Sequence, residues 1–554
     1  MPENFFEKHQ ELLQTAVQAN LTRGFWSPFN EIPSPRIYGE TAAAEGKAAF
    51  DARLNKSVAL TQPGNIGQTL NEVSPFGLAL GSHYAKSDLN KLIGGAQKAA
   101  EDWRRAGPET WTGVALEILT RLHSRSFEMA HAVMHTTGQS FIMAFQAGGP
   151  HAQDRALEAI ACAWSEIGKI PKSALWEKPQ GKNAPLKIRK DYRIVPRGIG
   201  LVIGCCTFPT WNSYPGIFAN LATGNAVVIK PHPAAIMPLA ITAEVARQVL
   251  QEAGFPADVV TLAAHDAGDI TAMELAVRPE IRIIDFTGGA DNGDWLERNA
   301  SQAQVYAEKS GVNQIVIDST DDFQGMLRNI AFSLALYSGQ MCTAPQNIYV
   351  PAAGIDTDQG HFDFDQVASA LGEAIDRLTA DPAKAVEVIG AIQNDAVLQR
   401  IKAARALGEI VTDSCPLAHP AFPEARVQTP LLIKIGNPDN PAISQEHFGP
   451  ISFVIAVQDT AAGIAFAEKT ARKCGALTLS GYTVNPQVKY AMLQAAAAAG
   501  VALSFNLTGG LFVNQSAAFS DYHGTGVNPA ANAALTDSAF VANRFRVVQS
   551  REAA

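Results

Sequence analysis

The chain has 554 residues, 47% of them hydrophobic and 18% charged, with a formal net charge of -9. That length exceeds what one hydrophobic core fills and predicts two or three domains. The acidic charge is spread along the sequence, so neither nucleic acid nor an anionic membrane is expected as a partner.

No apolar run approaches the roughly 20 residues of a membrane-spanning helix. The first eight residues carry no positive region followed by an apolar stretch, so a cytoplasmic protein is expected. The six cysteines (162, 205, 206, 342, 415 and 474) have neither zinc-site nor disulfide-framework spacing. Reduced thiols and no metal are the expectation.

In chain order, residues 7–18 predict a helix, and 23–39 are rich in proline and aromatics (Phe25, Trp26, Phe29, Tyr38), so 1–60 form an N-terminal extension. Residues 88–167 are helical by pattern, with Trp103, Leu116, Leu119, Leu122 and Phe127 at core spacing. The stretch 185–195 alternates polar and apolar residues, with cations on one face, and predicts an exposed antiparallel ribbon at about 184–197. The last periodic run, 540–548, has a similar pattern and could supply its partner strand. Such ribbons often pair across subunit interfaces, so a homodimer or homotetramer is expected.

Between residues 198 and 307 short apolar runs alternate with helices: 201–203, 226–229, 259–262, 281–286 and 305–307 are the predicted strands, and 238–252 is a helix stopped by Gly254 and Pro256. This pattern predicts a doubly wound parallel sheet, a dinucleotide-binding candidate. A second series, 347–350, 431–435, 452–457, 476–481 and 501–505, predicts another α/β unit facing the first across a cleft. The predicted division is an extension at 1–60, a dinucleotide-binding domain at 61–312, a catalytic domain at 313–530 and an oligomerisation strand at 531–554.

Cys342 ends the run Ser338-Gly339-Gln340-Met341-Cys342, where Gly339 and small polar neighbours break a helical pattern and present the side chain at a helix-to-loop junction. A lone cysteine is more often a small buried hydrophobe. A thiolate, however, attacks an electron-poor carbonyl far better than any neutral side chain, and a carboxylate such as Glu308 can activate the water that releases the resulting thioester. The pair points to an aldehyde. Thr287, Gly288 and Gly289 follow a strand and open a helix, the place where backbone amides approach a pyrophosphate. Lys230 follows the second strand, where many dinucleotide sites carry an acid for the ribose and a cation tolerates a ribose phosphate.

Together these residues resemble the aldehyde dehydrogenase superfamily. Glu308-Lys309-Ser310-Gly311 is similar to its glutamate motif and Ser338-Gly339-Gln340-Met341-Cys342 to its cysteine motif. The run 221–231 resembles its second cofactor strand, Phe286-Thr287-Gly288 its phosphate turn, and Glu446-His447-Phe448-Gly449-Pro450 its cofactor-ribose motif.

The resemblance implies two doubly wound α/β domains with a ribbon oligomerisation element. It makes Cys342 the nucleophile, Glu308 the hydrolytic base and Lys230 a ligand of the adenosine ribose. Glu446 would hold the nicotinamide ribose, and Phe448 would pack near the nicotinamide ring. Two departures stand out. Thr207 occupies the position of the family's oxyanion-stabilising asparagine; its hydroxyl can donate one hydrogen bond, beside the Cys342 amide, and the offset of Asn212 sets that residue aside as a replacement. Pro233 replaces the acid that NAD-preferring relatives often carry, so NADP is expected to be accepted and favoured over NAD.

The extension, Thr207 and the tail Tyr522-His523-Gly524-Thr525-Gly526 most resemble the phenylacetate-degradation, PaaN-like branch, which implies a ring-opened semialdehyde linked to coenzyme A, oxidised to the acid. Trp211, Tyr214, Phe332, Tyr337 and Phe519 are candidates to line its tunnel, or are simply core. A coenzyme A-acylating dehydrogenase is the nearest alternative, opposed by Glu308. A catalytically impaired scaffold of the same fold is favoured only by Thr207.

Overall fold

The computed structural model describes residues 4–58 and 60–554. Met1, Pro2 and Glu3, in the run read for a signal, and Ala59, in the extension, lie outside them.

The helical stretch folds into five helices, Leu89–Ala106, Pro108–His123, Ser126–Thr137, Phe141–Gly148 and Pro150–Gly168. Trp103, Leu116, Leu119 and Leu122 are almost wholly buried in the main core with the helices Pro209–Ala222 and Met237–Glu252. The extension forms the helices Phe5–Lys8 and Gln10–Thr22, broken at His9 where one helix was expected. The break suits His9, whose ring reaches back to the buried Glu117 at 2.7 Å.

The first sheet has five parallel strands in the order Gln304–Glu308, Ile281–Thr287, Ile199–Ile203, Ala226–Lys230, Val260–Leu262. The chain winds outward from Ile199–Ile203 in one direction, then crosses to Ile281–Thr287 on its other side. A crevice therefore opens at the carboxyl ends of those two strands, the usual ligand position in a doubly wound sheet.

The second sheet has seven strands in the order Glu409–Thr412, Leu431–Ile435, Ile451–Val457, Pro345–Pro351, Asn313–Ile317, Thr478–Tyr482, Ala502–Phe505. All pairings are parallel except that of the edge strand Glu409–Thr412. Asn313–Ile317 was not expected: its polar start, Asn313-Gln314, hides the short β-branched run Ile315-Val316-Ile317. Both polar residues are satisfied in the core, Gln314 by the Ala467 carbonyl and the Tyr349 hydroxyl. This strand begins five residues after the last strand of the first sheet ends, at Glu308. The carboxyl edge of one sheet thus abuts the amino edge of the other.

The expected ribbon is an antiparallel sheet, Ser173–Gln180, Asn183–Pro196 and Phe545–Ala553, with the terminal strand in the middle strand's register from Phe545 opposite Pro196. The terminal strand starts later than expected because Ser538–Ala542 is a short helix, capped by the Asp537 carboxylate and burying Phe540 and Val541. Among the described residues no helix is long and apolar enough to cross a membrane.

Candidate active site

Cys342 lies at the amino edge of the second sheet, three residues before the strand Pro345–Pro351. The helix Phe323–Ala335 runs into a turn in which Tyr337, Ser338 and Gly339 all have left-handed backbone, φ 49°, 51° and 61°. Such conformations are costly for the two non-glycine residues and persist where surroundings over-determine them. The Tyr337 hydroxyl donates to the Thr137 carbonyl and the Ser338 hydroxyl to the Ile389 carbonyl. At Gly339 a Cβ would lie 2.4 Å from the Gly449 carbonyl oxygen. Asn313 then pins the thiol's own peptide, its amide donating to the Cys342 carbonyl at 2.7 Å while its oxygen accepts from the Leu477 and Thr478 amides.

Glu308 ends the last strand of the first sheet and is buried. Its Oε2 accepts from the Asn212 amide at 3.2 Å and lies 3.1 Å from His523 Nε2. Its Oε1 is buried and makes no hydrogen bond among the described residues. His523 Nε2 is also 3.7 Å from Cys342 Sγ, and one atom of each of the three residues lies within 4.8 Å of the others. Burial raises the Glu308 carboxyl, but His523, the Cys342 thiol and Arg155 together outweigh it and hold the group below its ordinary value. Desolvation first, and Glu308 beside it second, push the Cys342 thiol well above its ordinary value.

Thr207 is buried at the carboxyl end of Ile199–Ile203, but its contacts run elsewhere: its carbonyl accepts from Gln139 at 2.8 Å. Burial raises the neighbouring Cys205 thiol to about 11, against hydrogen bonds from the Phe208 and Thr207 amides and the Thr207 hydroxyl. Asn212, set aside on spacing, is the amide drawn into the site, one turn into the helix Pro209–Ala222. It faces Glu308 rather than Thr207.

Of the proposed dinucleotide residues, Lys230 and Thr287 end strands of the first sheet, Gly288 and Gly289 follow Thr287, and Glu446 and Phe448 lie on the segment before Ile451–Val457 of the second. Lys230 is buried at the end of its strand, and burial alone lowers its ammonium to about 8. It has no ion pair among the described residues; His232 and His265 are its titratable neighbours, and Pro233 is buried beside it. Thr287, Gly288 and Gly289 precede the helix Ala290–Asn299, and at Gly289 nothing stands within 4 Å of a would-be Cβ. The Ala290 amide donates to the Ser310 hydroxyl at 3.3 Å; open space at Gly289 before a helix N-terminus, and a buried Lys230 on the same sheet, fit an anionic dinucleotide. Glu446 is partly buried, and desolvation raises its carboxyl; it accepts from the Gly311 amide at 3.4 Å, and the Phe448 carbonyl accepts from Arg400.

Of the tunnel candidates, Trp211 packs edge-on against the His523 ring at 4.7 Å. Tyr214, Tyr337 and Phe519 are fully buried core, and Phe332 stacks on Phe512. Spacing missed the roles of Asn313, Asn212 and His523; the only signal for the last was the unusual tail around Tyr522-His523-Gly524.

A model of the aldehyde dehydrogenase family matches residues 68–501. The chain is 61% identical to a solved NAD-dependent aldehyde dehydrogenase from Burkholderia multivorans, covering all of both chains with a TM-score of 0.99. It is 25% identical over 398 residues to the N-succinylglutamate 5-semialdehyde dehydrogenase of Burkholderia multivorans, covering 71% of this chain and 76% of that protein. It is 24% identical over 376 residues to the aldehyde dehydrogenase LUC3 of a Fusarium species, covering 67% and 73%.

Proposed function

The chain belongs to the aldehyde dehydrogenase family, and from that premise we propose that it oxidises an aldehyde to a carboxylic acid through a thioester on Cys342. The observation that carries this reading is the meeting of Cys342 and Glu308, one from each sheet, where one atom of each lies within 4.8 Å of the other. Cys342 Sγ adds to the aldehyde carbon, and the carbonyl electron pair moves to oxygen. NAD or NADP, when bound, supplies the hydride acceptor; Lys230, Thr287, Gly288, Gly289 and Glu446 would hold it, with Phe448 beside the ring. Glu308 Oε1, unpartnered and buried, accepts a proton from water. The hydroxide attacks the thioester and Cys342 leaves as thiolate.

Asn212 and His523 restrain the other carboxylate oxygen, so the free oxygen keeps one direction. That division of labour supports hydrolysis over transfer to coenzyme A. The name of the 61%-identical neighbour supports NAD as cofactor. The absence of an acid beside Lys230 supports acceptance of NADP.

The finer reading keeps a coenzyme A-linked semialdehyde of aromatic degradation as the substrate, supported by the likeness of the extension and tail to the PaaN-like branch. It keeps the domain limits at about 60, 312 and 530, which suit a first sheet ending at Glu308 and a second starting at Asn313. A cytoplasmic location suits six free thiols. The exposed ribbon, with Leu175, Leu186 and Val548 about half accessible, supports a homodimer or homotetramer.

The test is aldehyde-dependent reduction of NAD and NADP by wild type, Cys342→Ala and Glu308→Gln, with aliphatic, aromatic and coenzyme A-linked semialdehydes. Cys342→Ala is expected to abolish turnover and Glu308→Gln to give a burst of reduced cofactor that stalls. Full turnover by the alanine variant would refute the nucleophile. Product that forms only with added coenzyme A would refute hydrolysis.

A further inference from the structure

The tail segment 516–523 is held by far more buried polar structure than a surface connection needs. Arg155, fully buried, pairs with the fully buried Glu158 at 2.8 Å and donates to the carbonyls of Ser516, Asp521 and Leu535. Glu158 in turn accepts from the Phe519 amide at 3.0 Å. His523 is bridged to Leu535 through both of its backbone groups, at 2.7 and 2.8 Å, and its ring is fixed against Trp211. Removing two charges from water is expensive. What this scaffold delivers is one imidazole nitrogen, 2% exposed as a side chain, between the sulfur and the carboxylate.

Resting on the dehydrogenase reading above, we propose that His523 is a third catalytic residue: its Nε2 takes the Cys342 thiol proton and holds it between Sγ and Glu308 Oε2. The proton leaves sulfur for nitrogen, the freed sulfur pair bonds the aldehyde carbon, and no oxidant is involved in this step. When the thioester is cleaved, the departing thiolate recovers the proton from Nε2, so the loan balances over a turnover. The groups facing His523 suit the role. Glu308 Oε2 lies 3.1 Å from its Nε2 and Cys342 Sγ 3.7 Å away, Arg155 lies behind Trp211 at 5.4 Å from its ring, and Cys205 and Glu446 act on the sulfur from further away. Glu308 raises the thiol rather than freeing it, and the imidazole nitrogen 3.7 Å from Sγ is the neutral base within reach of its proton.

The experiment is alkylation of Cys342 by iodoacetamide, followed by mass spectrometry of its peptide from about pH 5 to about pH 10. It uses neither aldehyde nor cofactor, so it reads His523 even if no aldehyde proves to be a substrate. A chelator is present throughout, so that trace metal does not compete for the thiol. Wild type is expected to show two ionisations, and His523→Gln a single one at higher pH, with alkylation slowed about tenfold or more near neutrality. Superimposable profiles would overturn the proposal. If His523→Gln does not fold, as judged by its thermal transition, the wild-type profile decides: a single ionisation in the range of an isolated buried thiol overturns it.

Discussion

Lys230 pays for its position with a weakened hold on its proton. Burial lowers its ammonium to about 8 and lowers the neighbouring His232 to about 4, so near neutrality the lysine carries the charge and that histidine does not. Below its value the cation is present for a ribose phosphate; above it, the attraction fades. Affinity for NADP is therefore expected to fall as pH rises through about 8, and to fall more than affinity for NAD. Fluorescence titration of both dinucleotides on either side of that pH checks it, and parallel losses would contradict it. Lys230→Met is expected to weaken NADP by about tenfold, the equivalent of one charge-assisted contact.

The N-terminal extension acts as an element on the tail that carries His523. Arg23 closes the helix Gln10–Thr22 in left-handed backbone, φ 54°, which aims its guanidinium over the Tyr522 ring at 4.0 Å and onto the Tyr522 hydroxyl at 2.8 Å. Trp26 meets Phe519 edge-on, ring centroids 4.9 Å apart. A cation over an aromatic face contributes about 0.5–1 kcal/mol at a partly exposed site. Arg23 also lies 3.4 Å from the buried Glu158 carboxylate and from the Phe519 carbonyl, so Arg23→Ala is expected to lower global stability modestly while speeding amide hydrogen exchange in 516–523 and lowering turnover severalfold. Unaltered exchange in that segment would separate the extension from the site.

Across the whole molecule, the terminal strand is tied to the first sheet by a buried ion pair. Arg544, fully buried, binds both Asp285 oxygens, at 2.8 and 2.5 Å, and the Asn220 amide completes the carboxylate at 3.1 Å. Gly216 is required beside it, since a Cβ there would stand 2.6 Å from the Asp285 carboxyl carbon. Arg544→Ala leaves a buried carboxylate uncompensated and is expected to cost about 3–5 kcal/mol. Chemical denaturation measures it; a loss under about 1 kcal/mol would mean that water reaches Asp285. Because the same residue precedes the ribbon strand, sedimentation of this variant is expected to show weakened self-association if the ribbon is the subunit contact.

Most strands of both sheets were legible in the chain, because apolar runs bounded by glycine and proline are local signals. Asn313–Ile317 was not, since its two polar residues find partners only from distant elements. Cys342 and Glu308 were readable as a thiol and a carboxylate in glycine-bearing runs. Their neighbours were not: Asn212 and His523 reach Glu308 from 96 residues before and 215 after in the chain (308 - 212, 523 - 308), and no spacing rule spans such separations. By itself the sequence determined the two α/β sheets, the ribbon and the thiol and carboxylate that the proposed chemistry uses, all set by short-range patterning and side-chain chemistry. Only the tertiary structure decided that Thr207 turns toward Cys205, that Asn212 serves Glu308, and that a histidine from the tail stands between sulfur and carboxylate. The position of that histidine depends on how the buried charges Arg155 and Glu158 are satisfied by the tail, and that satisfaction exists only once the whole chain has packed.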